Sequence, residues 1–471
     1  VQAFIGRRRE LAVLREAFDR VSDGIGSSEP GRCLLIRGRR RVGKSSLVEE
    51  FLRVSGAPSV YFTAAGGSAD AELAELCDAV AQSGLPERGL FIDEAPGQWN
   101  AALRLLADIL PDDRPSVVVI DEVPYLMDSV DAFEGQLQRL WDRHLRRKPV
   151  LLLLVGSDLS MMEALNEYRR PFHQRGTEMV LGPLGPADLA EMLDLDAATA
   201  FDAALITGGL PLVARDWLPG TSVWEFLGTA LDNPTSALLV SAERSLAAEF
   251  PPQAMAGEVL RAIGSGERTF TNIARAAGGI AHSTLTRATD LLIGKRIVIG
   301  ELPLSTRPSK ERRYRIVDPY LRFWLTFLEP HMAEIERMRG DLALRRIRVG
   351  WTSWRGRAVE PLIRESLARL QPIDGLPASA VVGAYWTRGN DVEIDLVGAD
   401  RAPIAKQVHF LGSIKWLENS PFDNHDLVAL QRHRVAYGVE PLPLVAVSRS
   451  GVTSAGLHAA YGPDELVEAW R

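Results

Sequence analysis

The sequence predicts an α/β chain built on a parallel sheet in its N-terminal third, and three observations carry that prediction. Apolar runs of strand length, at residues 33–36, 116–120 and 149–155, are continuous rather than alternating, as strands buried on both faces require. Stretches with helical spacing separate them. The first run leads straight into a glycine loop, Gly38-Arg39-Arg40-Arg41-Val42-Gly43-Lys44-Ser45, and then into the helical pattern of residues 46–53.

Strand, glycine loop and helix in that order are what a polyphosphate needs. Backbone N–H groups turn inward, a helix N-terminus points at the anion, and glycine permits close approach. In this arrangement Lys44 reaches the β- and γ-phosphates, the Ser45 hydroxyl ligates Mg²⁺, and Ser46 opens the helix. ATP or ADP with Mg²⁺ is the expected ligand.

Composition bounds the rest. The 471 residues, 46% hydrophobic and 24% charged, can supply several packed cores and exclude wholesale disorder. A formal net charge of −7 excludes a generally basic nucleic-acid coat, although basic residues cluster at 143–148 and 337–348. Cys33 and Cys77 read as reduced core thiols, and no Cys/His cluster has zinc spacing. Without a signal-like first segment or a membrane-length apolar run, the expectation is a soluble, cytoplasmic protein.

Taken in order, a helix with Leu11, Leu14 and Phe18 on one face precedes a Ser/Gly-rich loop at 22–31. After the phosphate-loop helix, residues 59–63 read as a second strand and 71–82 as a helix. Two stretches compete for the acidic strand. Phe91-Ile92-Asp93-Glu94 has only two apolar residues before its acids and Pro96-Gly97 after them. Residues 116–120 form a β-branched run ending in Asp121-Glu122, where a strand C-terminus meets phosphates. The second is therefore chosen: Asp121 to hold Mg²⁺, Glu122 to orient or deprotonate the attacking water. The strand at 149–155 ends in Gly156-Ser157-Asp158. Ser157 is a candidate γ-phosphate sensor or, equally, an N-cap for the helix at 159–165. Met179-Val180-Leu181 reads as the last strand.

The phosphate loop, VVVIDEVPYL, LLLLVGSDLSMME and Gly209-Leu210-Pro211 together resemble the archaeal-type ATPases, a branch of the STAND and AAA-related P-loop NTPases. The resemblance implies a P-loop ATPase core with a parallel sheet at residues 1–185, a helical lid at 186–250 and a winged helix at 251–330. It also implies a C-terminal α/β domain at 331–471, related to the PD-(D/E)XK nucleases. Phe4-Ile5-Gly6-Arg7 resembles a box that packs on adenine, so Ile5, Gly6 and Arg7 join the expected nucleotide contacts. DPYLRFW at 318–324 resembles the helix that closes the winged-helix core.

In the winged helix, possible DNA contacts are His282, Ser283, Thr284, Thr286 and Arg287 on the third helix, with Arg307, Lys310, Arg312 and Arg313 on the wing. The competing reading is a module that faces protein and acts as a switch. In the last domain, strands are expected at 381–386, 391–397 and 408–414. There the resemblance puts Glu360, Asp395 and Lys415 on a metal-binding rim. Ser413 stands where a third acid belongs, which makes nuclease activity doubtful, and Glu393 is a possible substitute ligand. The function expected is a slow Mg-ATPase acting as a molecular switch, with a protein partner or self-association. The alternative is an ATP-gated DNA-binding protein, either a regulator or a nuclease.

Overall fold

The computed structural model describes residues 4–93, 95–242, 254–438 and 441–471, which divide into two compact units, Val1–Pro183 and Leu184–Arg471. The first is a parallel sheet flanked by helices. Its strands are β1 (Arg32–Arg37), β2 (Ser59–Thr63), β3 (Ser116–Asp121), β4 (Val150–Gly156) and β5 (Thr177–Val180), in the order β2-β3-β4-β1-β5. Every residue of β3 and β4 is buried, which is why their sequences run apolar without alternation. Helices Ala69–Ala81, Trp99–Ile109 and Phe133–Arg143 cover the sheet with amphipathic faces. Trp99 meets Phe133 edge to face at 5.5 Å within that layer. All strands being parallel, the loops after β1, β3 and β4 leave from one edge, and the chemistry gathers there.

The second unit begins with helices Pro186–Leu193, Ala197–Thr207, Pro211–Ala214 and Val223–Asp232. The boundary expected at 250/251 lies outside the described residues. Three helices follow, Ala254–Gly264, Phe270–Ala276 and His282–Gly294, and then the antiparallel pair β6 (Val298–Glu301) and β7 (Arg313–Ile316). The DPYLRFW stretch forms the helix Pro319–Phe323 and runs into a π-helical turn, Trp324–Leu328. Long helices Gly340–Ala358 and Glu360–Arg369 lead to a second sheet. Leu231, Ile263, Leu285, Phe323 and Trp351 belong to one buried cluster, so the helices before and after residue 254 share a core.

The C-terminal sheet has the order β12-β11-β10-β9-β8, where β8 is Val381–Trp386, β9 Glu393–Ala399, β10 Val408–Lys415, β11 Leu444–Ser448 and β12 Ala459–Tyr461. β8, β9 and β10 are antiparallel neighbours; β10, β11 and β12 are parallel. The segment after β6 lies on this sheet rather than projecting from it: Leu304 N–H donates to Ala384 O at 2.8 Å, and Ser305 bridges to Ile404. A buried ion cluster also ties the unit together, with Asp202 accepting from Arg355 at 3.3 Å and from Arg449 at 3.0 Å.

Candidate functional site

The loop after β1 closes on itself. Gly43 has φ 92°, open to glycine without strain, and directly precedes the helix Lys44–Ser55, which has no side-chain cap on its first N–H groups. Gly38 is required sterically, since a Cβ there would lie 2.5 Å from Leu181 O. Lys44 is buried, with Nζ donating to Gly38 O at 2.8 Å and Arg39 O at 3.1 Å. Burial lowers its pKa, the charges of Glu122 and Asp121 oppose that shift, and Arg40 adds to it. Arg41 takes φ 68°, and Arg40 Nη2 donates to the Tyr125 hydroxyl at 2.9 Å.

The two acids stand opposite this loop. Asp121 Oδ2 accepts from Ser45 Oγ and from the Tyr61 hydroxyl, each at 2.7 Å, while its Oδ1 accepts from Glu122 N at 2.9 Å. A hydroxyl and a carboxylate in contact are hard oxygen donors of the kind Mg²⁺ takes, so Ser45 and Asp121 fit the cation. Glu122 is held at φ 54°, in the left-handed region a non-glycine residue rarely occupies, and the following helix Val123–Ser129 starts from that turn. Pairing of β3 with β4 through Ile120 and Leu154 carries Glu122 and Ser157 to the same edge. Ser157 Oγ donates to the Glu122 carboxylate at 2.5 Å, and Ser157 N–H lies 3.3 Å from it. Asp158, not Ser157, caps the next helix, accepting from Met161 N at 2.9 Å.

The N-terminal box reaches the same loop from outside the sheet. Gly6 and Arg7 both take positive φ, Ile5 is half-buried, and Arg7 Nη2 donates to Val42 O at 2.8 Å and Gly182 O at 2.6 Å. Arg7 therefore braces the phosphate loop. The rejected acidic stretch forms a short helix, Leu90–Asp93, and Glu94 lies outside the described residues. Tyr61 and Tyr125 were not among the expected site residues. Tyr61 reads only as a β-propensity residue until β2 is known to pair beside β3, with Thr63 opposite Asp121.

In the second unit, several of the expected site residues are engaged in ion pairs. Arg313 is not a free phosphate contact, because it pairs with Glu393 at 2.6 Å, donates to Asn390 at 2.6 Å and lies 4.6 Å over the Trp386 ring. The same pairing engages Glu393, the possible substitute metal ligand. Lys415, two residues along β10 from the Ser413 that touches Asp395, has its Nζ ion-paired with Asp426 at 2.6 Å. The cation beside the two acids is Arg364, which donates to Glu360 at 2.8 Å and to Asp395 O at 2.8 Å. Asp395 accepts from Ser413 Oγ at 2.9 Å and Ile414 N at 2.8 Å. Burial and the neighbouring Glu360 push its pKa up to about 6. Ser283, Thr286 and Arg287 are exposed on their helix and Thr284 half-buried, and Arg307, Lys310 and Arg312 are exposed on the β6–β7 connection.

Residues 3–154 match the AAA ATPase domain family, and residues 324–427 match a family described as archaea bacterial proteins of unknown function. The chain is 26% identical over 399 residues to an uncharacterized protein of Methanocaldococcus jannaschii, covering 83% of each. Among solved structures it is similar to a Walker-type ATPase of Pyrococcus abyssi, with 18% identity and a TM-score of 0.49, covering 68% of this chain and 96% of that one. It is also similar to the ORC2 protein of Aeropyrum pernix in ADPNP–ADP complexes, with 14% identity and a TM-score of 0.45, covering 73% and 95%. No described helix is long and apolar enough to cross a membrane. The AAA match over the first unit, together with its glycine loop and paired acids, supports a nucleotide-binding P-loop ATPase domain there.

Proposed function

We propose that the chain binds Mg-ATP and hydrolyses it slowly, as a nucleotide-dependent switch. The observation that carries this reading is the paired contact of Ser45 with Asp121 and of Ser157 with Glu122 at the mouth of one glycine loop. Mg²⁺, held by Ser45 and Asp121, would neutralise charge on the β- and γ-phosphates. Lys44 binds the same oxygens, with the loop N–H groups around them. Glu122 orients the attacking water and takes its proton. Its carboxylate is engaged by Ser157, so that hydroxyl must turn from Glu122 to the γ-phosphate before Glu122 is available. That exchange makes hydrolysis slow and couples it to which nucleotide is bound.

Lys44→Ala should weaken ATP binding about tenfold to a hundredfold, the size of a lost hydrogen bond to a charged group. Glu122→Gln should bind normally and lose about a hundredfold or more in hydrolysis. Fluorescent-nucleotide titration and phosphate release measure the two. Equal loss of binding in both variants would remove the role given to Glu122.

A second reading, an ATP-gated DNA-binding protein, draws support from the exposed Ser283, Arg287, Arg307, Lys310 and Arg312. It treats the three helices with β6 and β7 as a winged helix. Reversing the charges of Arg307 and Lys310 should then lower duplex affinity and flatten its salt dependence. Absence of duplex binding at low salt leaves the protein-facing switch. For the C-terminal sheet we propose a structural or partner-binding role, supported by the pairing of Glu360 with Arg364 and by Ser413 standing where a third acid would be needed.

A further inference from the structure

The second unit contains a cavity of about 290 Å³ whose charged lining is of one sign. Arg268, Arg315, Arg322 and Arg357 face it, with Ser353 and Trp354 beside them; the same four arginines also face an adjoining pocket that carries Glu301, Glu360, Glu393 and Asp395. Separate elements deliver these groups. Arg315 follows Arg313 by two along β7, so both leave the face opposite the buried Tyr314 and Ile316. Arg268 adjoins Thr269, which bridges to Arg313. Arg322 comes from the helix Pro319–Phe323, while Ser353, Trp354 and Arg357 share one face of the helix Gly340–Ala358.

The nearest acids are already engaged: Glu301 by Arg315 at 2.7 Å, Glu393 by Arg313 at 2.6 Å and Glu360 by Arg364 at 2.8 Å. Two guanidiniums, Arg322 and Arg357, make no ion pair among the described residues. Arg357 has no side-chain partner among the described residues. Arg322 donates to Arg357 O at 3.4 Å and lies 5.8 Å over the Trp354 ring, and Arg268 makes a loose ion pair with Glu393 at 3.8 Å. Trp354 Nε1 is a buried donor without an acceptor. Burial together with Arg268, Arg315 and Arg357 lowers the pKa of Arg322 to about 10, against a partial counter-effect of Glu360. The two adjoining linings hold six arginines, Arg268, Arg313, Arg315, Arg322, Arg357 and Arg364, against four acids, Glu301, Glu360, Glu393 and Asp395, an excess of positive charge that a bound anion would balance.

We propose that this cavity binds a phosphate monoester. A carboxylate carries one charge and two oxygens, which a single arginine satisfies. A phosphate monoester carries a charge of about −1.5 to −2 and three acceptor oxygens, matching several guanidiniums that converge from different elements. The volume, near the lower end of the roughly 300–1,000 Å³ typical of small-molecule pockets, admits the esterified group as well. Such an ester is either a free metabolite or the 5′-phosphate end of a nucleic-acid strand.

The test uses the full chain with saturating Mg-ADP, which occupies the phosphate loop. Calorimetric titrations with glycerol 3-phosphate and with short single strands ending in 5′-phosphate or 5′-hydroxyl are compared in the wild type, Arg357→Gln and Arg322→Gln. Phosphate-bearing ligands should bind and lose about tenfold or more in affinity in Arg357→Gln, an exposed position with no partner to lose on folding. Binding of glycerol 3-phosphate assigns a free ester; binding of the phosphorylated strand alone assigns a strand end. The proposal is overturned if neither phosphate-bearing ligand binds, if Arg357→Gln binds as tightly as the wild type, or if glycerol 3-phosphate fails to bind and the hydroxyl-ended strand binds as well as the phosphorylated one.

Discussion

At the scale of single residues, side chains of one type divide according to what tertiary pairing leaves them to do. Ser45 and Ser157 both contact an acid at the sheet edge, whereas Ser413, in the strand position of an expected metal ligand, donates to Asp395 and holds it in place. Asp395 sits with Glu360 and Arg364 from one helix and with Ser413 and the Ile414 N–H from β10. Its raised pKa means that the folded chain favours the neutral acid more than the unfolded chain does. Its contribution to stability is therefore present below about pH 4, the ordinary carboxylate range, and is lost as pH rises through about 6. Asp395→Asn does not titrate, so its urea midpoint should gain on that of the wild type between pH 4 and 7. Parallel midpoints across that range would show that the carboxylate is not perturbed.

At the scale of elements, glycines mark where backbone meets backbone. Gly209 has φ 67°, and a Cβ on it would lie 2.2 Å from Leu184 O, while Leu184 N–H donates to Gly209 O at 2.8 Å. No rotamer relieves that contact. Gly209→Ala should cost about 2–4 kcal/mol, combining the left-handed penalty with overpacking. Thermal denaturation checks this, and a shift under 1 °C would refute it. The helix–turn–helix pattern around Gly208-Gly209-Leu210-Pro211 was legible in the sequence, but its reason was not, because the Leu184 carbonyl comes from a different turn of chain. The β6–β7 ribbon makes the same point. A wing was expected there by resemblance, yet the pairing of Arg313 with Glu393 depends on a sheet about eighty residues further on.

At the scale of the whole molecule, the chain holds two units with separate cores, one around the parallel sheet and one spanning the later helices. Calorimetry should therefore resolve two unfolding transitions, and Mg-ADP should move only the one belonging to the first unit. At a hundred times its Kd the nucleotide adds about 2.7 kcal/mol, a rise of about 5–10 °C for a unit of this size. A single transition, or equal shifts in both, would show that the units unfold together.

By itself the sequence determined the five strands of the first sheet, the glycine loop and the strand that ends at Asp121. These are local properties: a buried parallel strand must be apolar throughout, and a loop that wraps phosphate must carry glycine and lysine at set spacing. It also located β8 and β10 closely and β9 within two residues, but β11, β12 and the helix Asn424–Tyr437 were not anticipated. Tertiary structure alone decided which charges remain available. Arg313, Glu393 and Lys415 looked like binding groups as sequence and became ion pairs once β7, β9, β10 and the helix at Asn424 were brought together. Arg322 and Arg357 were left without an ion pair among the described residues, with Glu360 and Glu393 acting on them only at longer range. A charge acts over a few ångströms in space, and the residues that neutralise it are set by packing, not by their separation along the chain.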